Sequence, residues 1–147
     1  MELIEHNSGD TLMLADLGLP REVYTDQVAF IKAVREGLPG RVLQKAVNAL
    51  RRDRDVFVRL LETDSSNLHR FFKRKSLGRV HSEEVLDTLK LYIEAATVFE
   101  DPEIAQEWLH SEVRALGGSR PVDLFDTFAG RDMVRDVLAK IEFGEFS

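Results

Sequence analysis

Past residue 25, apolar residues recur every three or four positions and nowhere alternate strictly with polar ones. That spacing gathers them on one face of a helix, whereas in a strand it would scatter them over both faces. The chain is therefore expected to be all-α. Val28, Ile31 and Val34 predict a helix capped by Thr25 and ending near Gly37, before the Pro39-Gly40 break. Val42, Leu43, Ala46, Val47 and Leu50 mark a second helix, and Val56, Phe57, Leu60 and Leu61 a short third. Leu68, Phe71 and Phe72 give the buried stripe of a fourth, with Asp64 or Ser65 as its cap. Leu77-Gly78-Arg79-Val80 is expected to connect it to the next.

Ser82-Glu83-Glu84 then opens a long helix with Val85, Leu86, Leu89, Ile93, Ala96 and Phe99 inward. Glu100-Asp101-Pro102 stops it, and Asp101 with Pro102 starts another that turns Ile104, Ala105, Trp108 and Leu109 to the core. Residues 116–121 must form a sharp loop, with Ser119 able to cap the next helix. A short helix from Pro121 is expected to end at Gly130. The last helix carries Met133, Val134, Val137, Leu138 and Ile141 inward and ends at Gly144, a natural left-handed cap. Residues 1–23 lack this period. Their Leu12, Met13, Leu14, Leu17 and Leu19 form either an arm docked on the core or an edge for a partner.

Charge is divided along the chain. Residues 41–79 hold 11 Lys and Arg against 4 Asp and Glu, a local +7; the rest holds 9 against 22, or −13, within a formal total of −6. An acidic protein with one concentrated basic block is built differently from a uniformly acidic one. Several function classes fall away. With no cysteine there is no disulfide, thiolate metal site or Cys nucleophile, which fits a reducing cytoplasm. His6, His69, His81 and His110 show no ligand spacing, so no metal is expected. No glycine-rich phosphate loop follows a strand, so neither a cofactor nor an enzyme is expected. No run approaches the ~18 apolar residues of a membrane span. The acidic Met1-Glu2-Leu3-Ile4-Glu5 is unlike a secretory leader.

The basic block has the proportions of a helix-turn-helix. Residues 55–62 and 65–75 would be two short helices joined by about three residues. Ser66, Asn67, His69, Arg70, Lys73 and Arg74 fall largely opposite the apolar stripe and are the expected DNA-binding set. Ser, Asn, His and Arg suit base edges. Lys73, Arg74, Lys75 and Arg79 suit phosphates, and Arg51, Arg52 and Arg54 could extend that footprint. A solvated charged face is the plainer alternative. Glu62 and Thr63 also stand where the tight turn of this motif often has Gly and a branched apolar residue.

The carboxy-terminal half carries a more specific pattern. It reads Ala95-Ala96-Thr97-Val98-Phe99, Ala105-Gln106-Glu107-Trp108-Leu109, and Leu116-Gly117-Gly118-Ser119-Arg120-Pro121-Val122-Asp123-Leu124. Thr127, Gly130 and Val134 come next, then Ile141-Glu142-Phe143-Gly144-Glu145-Phe146. This resembles the toxin-binding domain of the Xre/MbcA/ParS-type antitoxins. Leu60-Leu61, Ser66-Asn67-Leu68-His69-Arg70 and Ser82-Glu83-Glu84 stand where the family has its Xre-like helix-turn-helix, so the likeness covers roughly residues 36–147.

The resemblance implies an Xre-like helix-turn-helix bundle followed by a small helical toxin-binding domain. The expected division is an arm at 1–23, a DNA-binding domain at 24–82 and a toxin-binding domain at 83–147. It also implies an antitoxin that blocks the active site of a RES-domain toxin, which degrades NAD⁺, and represses its own operon. Partners would be that toxin, operator DNA and a second copy of the chain, with higher hetero-oligomers. The expected toxin-contacting set is Leu116, Gly117, Gly118, Arg120, Pro121, Asp123, Glu142, Gly144, Glu145, Phe146 and Ser147. Leu116, like Leu124, Ile141 and Trp108, also reads as core. Phe146, between Glu145 and a terminal carboxylate, reads as a plug for a cationic pocket or as a frayed end. A stand-alone helix-turn-helix regulator with a carboxy-terminal dimerisation domain is the alternative function.

Overall fold

The computed structural model describes residues 17–144, and every regular element among them is helical. In chain order the α-helices are α1 (Glu22–Thr25), α2 (Gln27–Glu36), α3 (Gly40–Ala49), α4 (Arg54–Leu60), α5 (His69–Phe72), α6 (Arg79–Phe99), α7 (Pro102–Leu109) and α8 (Phe128–Glu142). Short 3-10 turns lie at Arg51–Asp53, Arg114–Leu116 and Pro121–Leu124. The all-α expectation holds among the described residues.

The long helix α6 organises the core. It packs against α2, α4, α7 and α8, so one stripe does not describe it. Thr88, Leu91, Tyr92 and Ala95 are buried as well as the expected Val85, Leu86, Leu89 and Ala96. A helix covered on several sides is apolar over more than one face. It starts at Arg79, before the expected opening at Ser82, so Leu77–Val80 is not wholly a connection. Ser82 is buried instead. Its hydroxyl accepts from Leu38 N (2.7 Å) and donates to the Leu77 carbonyl (3.2 Å), tying the α2–α3 corner to the start of α6.

The expected division between residues 82 and 83 falls inside α6. Two polar clamps join α4, from the amino-terminal part, to the carboxy-terminal part. At its start, Asp53 is buried and accepts from Tyr92 Oη (2.8 Å), with Gln106 Nε2 at 3.4 Å and His110 Nε2 at 2.7 Å. Near its end, Arg59 donates to the carbonyls of Val122 (2.9 Å) and Asp123 (3.2 Å) and pairs with Asp126 at 3.3 Å.

Several local expectations change. Asp26, not Thr25, caps α2 by accepting from Ala29 N. Phe30 and Val34 point inward there, while Val28 (74% exposed) and Ile31 (41%) face outward. The two sets differ by a fraction of a turn, and the packing partner selects between them. Ile104 and Met133 are likewise exposed. Gly130 does not end a helix. Residues 121–124 form a 3-10 turn, and α8 begins anew at Phe128 with Thr127 as its cap. Ser119 does not cap that turn. Asp101 and Pro102 do start α7, and Gly144 does take a left-handed φ of 69°.

In the described part of the arm, Leu17 and Val23 are buried and Leu19 packs against the core. That portion is docked. Leu12, Met13 and Leu14 lie outside the described residues.

Candidate functional site

Two surfaces carry the residues singled out by the sequence. The first is built on α4, its following turn and α5. Leu61 ends α4, and Glu62 adopts a left-handed φ of 51°. Thr63 N then donates to the Val58 carbonyl (3.1 Å) and closes the turn. The chain thus makes the left-handed turn that usually takes Gly, at a strain of about 1 kcal/mol. Glu62 is exposed, so its carboxylate stays hydrated.

Asp64 opens the next segment, accepting from Asn67 N (2.8 Å), Ser66 Oγ (2.7 Å) and Asn67 Nδ2 (2.9 Å), but neither it nor Ser65 caps the helix, whose N-cap position is Leu68. The Ser66 hydroxyl foremost, with Asn67, holds the Asp64 carboxyl below its ordinary range. This fixes the turn and also occupies two of the expected base-reading side chains. The regular helix is shorter than the expected 65–75: residues 65–68 form turns, and α5 covers only His69–Phe72. Buried side chains and one backbone bond anchor it. Leu68 and Phe71 are buried, and Gly40 N donates to the Arg74 carbonyl at 3.1 Å. A Cβ on Gly40 would stand 2.4–2.6 Å from the carbonyls of Arg74, Phe71 and Phe72, so α3 can meet this segment only through glycine.

His69, Arg70, Lys73 and Arg74 are exposed, and Asn67 is half-buried. Arg74 lies over the Phe71 ring at 4.4 Å, which holds its guanidinium against the segment. Arg54 is committed elsewhere: it donates to Ser65 Oγ (3.3 Å) and the Ser65 carbonyl (3.1 Å), bracing the turn. Arg51, Arg52, Lys75 and Arg79 are exposed. The surface is therefore basic, with His69, Arg70 and Lys73 at its centre.

The second surface is the loop between α7 and α8. Val113 is its hub. Val113 N donates to the Ser119 carbonyl (3.1 Å), and the Val113 carbonyl accepts from Leu116 N and Gly118 N (both 3.0 Å). Closing so tight a ring requires two successive left-handed residues, Gly117 (φ 68°) and Gly118 (φ 83°). A Cβ at either would meet nothing within 4 Å, so both glycines present bare backbone outward.

Leu116 and Pro121 are buried, so in the free chain their side chains anchor the loop from inside. Arg120 and Asp123 are exposed and pair with each other through two bonds of 2.9 Å. The Arg120 guanidinium lowers the Asp123 carboxyl below its ordinary range. In the free chain these two charges compensate. Glu142, Phe143 and Gly144 are exposed at the end of α8. Glu145, Phe146 and Ser147 lie outside the described residues. Trp108 is half-buried and stacks obliquely on Phe99, with ring centroids 5.4 Å apart, packed against the core as expected.

The sequence did not single out Arg59, Asp53, Arg131 or Arg135. Arg131 is 4% exposed; it pairs with Asp87 (2.7 Å) and donates to the Phe125 carbonyl (2.8 Å). Arg135 also takes Asp87 (2.7 Å) and reaches Glu94 (3.3 Å). A cue existed: Arg131 precedes Val134 and Leu138 by three and seven residues, which puts it in the inward register of α8. Among the described residues, no group of three or more His, Asp or Glu is placed to hold a metal ion. None of the described helices is long and apolar enough to cross a membrane.

Comparison with known proteins adds two findings. Residues 94–144 match the family model described as the antitoxin Xre/MbcA/ParS C-terminal toxin-binding domain. A Sphingobium sp. (strain YBL2) protein named Prs ADP-ribosylating antitoxin is 28% identical over 127 residues, covering 80% of this chain and 80% of that protein.

Proposed function

We propose that this chain, which resembles the Xre/MbcA/ParS-type antitoxins, binds and inhibits a RES-domain toxin that degrades NAD⁺ and represses its own operon by binding DNA. One coincidence carries the toxin half. The segment matched to a toxin-binding domain, residues 94–144, contains the bare Gly117-Gly118 turn and the exposed Arg120, Asp123, Glu142 and Gly144. The relative's name joins an antitoxin to ADP-ribosylation, a reaction whose usual donor is NAD⁺, and this supports a partner that consumes NAD⁺.

Inhibition would arise from charge and shape. A pocket that grips a dinucleotide needs cationic donors for its phosphates. Glu145, Phe146 and Ser147 would enter such a pocket and exclude the dinucleotide. The backbone of Gly117-Gly118 would lie close against the toxin surface beside it. The chain acts here as a binding protein in the cytoplasm and supplies no catalytic group.

The DNA half rests on the exposed basic surface of residues 24–82. Arg70 and His69 would reach base edges, and Lys73 and Arg74 phosphates. Ser66 and Asn67 would exchange their bonds to Asp64 for bonds to DNA. In a homodimer, two such surfaces would read half-sites about one helical turn apart. The toxin would join such dimers into larger complexes.

A crossed experiment tests both halves. Removing residues 142–147 should weaken partner binding by about 2 kcal/mol, or roughly 30-fold. It should leave operator binding unchanged. Changing both Arg70 and Lys73 to Ala should do the reverse, lowering the salt slope of operator binding by about 0.9 for each phosphate no longer neutralised. An unchanged slope would mean these cations face only solvent. Unchanged neutralisation by the truncated chain would remove the plug.

A further inference from the structure

We propose that the outward face of α3 is a second DNA-contacting element, gripping the phosphate backbone beside the helix-turn-helix; this rests on the DNA-binding reading and extends it to a helix outside that motif. α3 divides cleanly between two faces. Val42, Leu43, Ala46 and Val47 are buried, whereas Arg41, Gln44, Lys45 and Asn48 are exposed. The exposed four succeed one another at spacings of three, one and three, which lays them along one stripe. Each carries N–H donors and none is acidic. Arg41 and Lys45 stand four residues apart, an arrangement of like charges that weakens a helix on its own.

The surroundings are equally one-sided. Residues 37–52 hold four Lys and Arg, residues 65–82 hold five, and neither stretch contains an Asp or Glu. All nine cations are exposed, and among the described residues none of them enters an ion pair. The fold brings the two stretches together: Gly40 N donates to the Arg74 carbonyl (3.1 Å), and Leu77 N donates to the Leu38 carbonyl (2.7 Å). Cations gathered in this way repel one another, and a polyanion laid across them relieves the repulsion.

Packing gives the stripe its direction. α3 and α5 lie side by side, and Val42, Val47, Leu68 and Phe71 enter one core. Gly40 is the point of closest approach, and exposed Gln44, one turn further on, borders the same edge of α3. Two helices that share a core beneath them turn their opposite faces the same way, so the stripe continues the surface of His69, Arg70 and Lys73. From Arg41 to Asn48 it runs about 10 Å. The phosphates of one DNA strand advance about 3.4 Å per base pair along the duplex, so the stripe spans about three of them. Such contacts position the chain without reading sequence.

The test measures binding of the full chain to two duplexes: the DNA immediately upstream of its coding sequence, and a scrambled duplex of the same length and composition. Arg41→Ala with Lys45→Ala should lower the salt slope by about 1.8 on both, leaving the ratio of the two affinities unchanged. Arg70→Ala should reduce that ratio. Arg41 and Lys45 are exposed, so the thermal midpoint should hold. Arg114→Ala with Lys140→Ala removes the same charge from exposed positions in the carboxy-terminal part and should leave the slope as it is. A slope unchanged by the α3 variant, but lowered by Arg70→Ala with Lys73→Ala, would overturn this inference and leave the DNA-binding reading standing. An equal fall in the Arg114 and Lys140 variant would reduce the effect to bulk charge and overturn it as well. Full DNA binding by the α3 variant, with loss of the dimer or of the partner complex, would assign the stripe to a protein instead. Failure of the unaltered chain to bind either duplex would overturn both.

Discussion

Asp53→Ala should destabilise the chain by roughly 3 kcal/mol, more than a change at any exposed charge. Asp53 is 3% exposed and gathers one residue from α6, one from α7 and one just beyond it. Without its carboxylate, the buried Tyr92 hydroxyl loses its acceptor at 2.8 Å and His110 loses its partner at 2.7 Å. Each buried polar group left unpaired costs about 1–3 kcal/mol. Burial, and then the Asp53 charge, push the Tyr92 hydroxyl well above its ordinary range, so at neutral pH it is a donor. Asp53→Asn keeps an acceptor for it and should lose only about 1 kcal/mol. Denaturant unfolding of both variants makes the comparison. Equal, small losses would show that the clamp does not join α4 to the carboxy-terminal part.

Gly130→Ala should cost about 3 kcal/mol, at the upper end for overpacking. A Cβ there would stand 1.9 Å from the Leu124 carbonyl oxygen and 2.8 Å from its carbon. Both are backbone atoms, so no flexible side chain can swing aside. The 3-10 turn at Pro121–Leu124 must move instead, and with it the Arg120–Asp123 pair. Gly117→Ala is the informative comparison, because its surroundings are open and only its φ of 68° is strained. It should cost about 1 kcal/mol. If the two variants melted together, close packing at Gly130 would not be what fixes the turn.

The helical class and some of the helix ends were legible in the sequence because punctuation and periodicity are local. Asp101-Pro102 and Gly144 act within one turn of their own positions. The inward faces of α2, α7 and α8 were legible only in part. Val28, Ile31, Ile104 and Met133 are apolar residues near the edge of a stripe, and whether such an edge is covered depends on a neighbour far along the chain. The short 3-10 turn at 121–124 was hidden for the same reason: Gly130 suggested a stop, whereas it is the close approach of α8 to Leu124.

The candidate site divides in the same way. The basic surface and the Gly117-Gly118 turn were legible from residue type. The clamps of Asp53, Arg59, Arg131 and Arg135 were not, because a charged residue in isolation reads as solvated. Their pairing also alters the charge balance. The local +7 of residues 41–79 is diminished at its surface, since Arg54 and Arg59 turn onto the chain itself, leaving His69, Arg70 and Lys73 as its outward centre. The acidic remainder gains a direction, because α8 buries its arginines and shows its aspartates.

The proposed function has this chain bind an NAD⁺-consuming toxin and block it. The most direct measurement is a titration of the purified neighbouring gene product, with NAD⁺ loss followed as the full chain is added. NAD⁺ consumption should stop at a fixed molar ratio, with sub-micromolar affinity, and should return when residues 142–147 are removed. A neighbouring product that consumes NAD⁺ at an unchanged rate in a molar excess of the chain would contradict the claim.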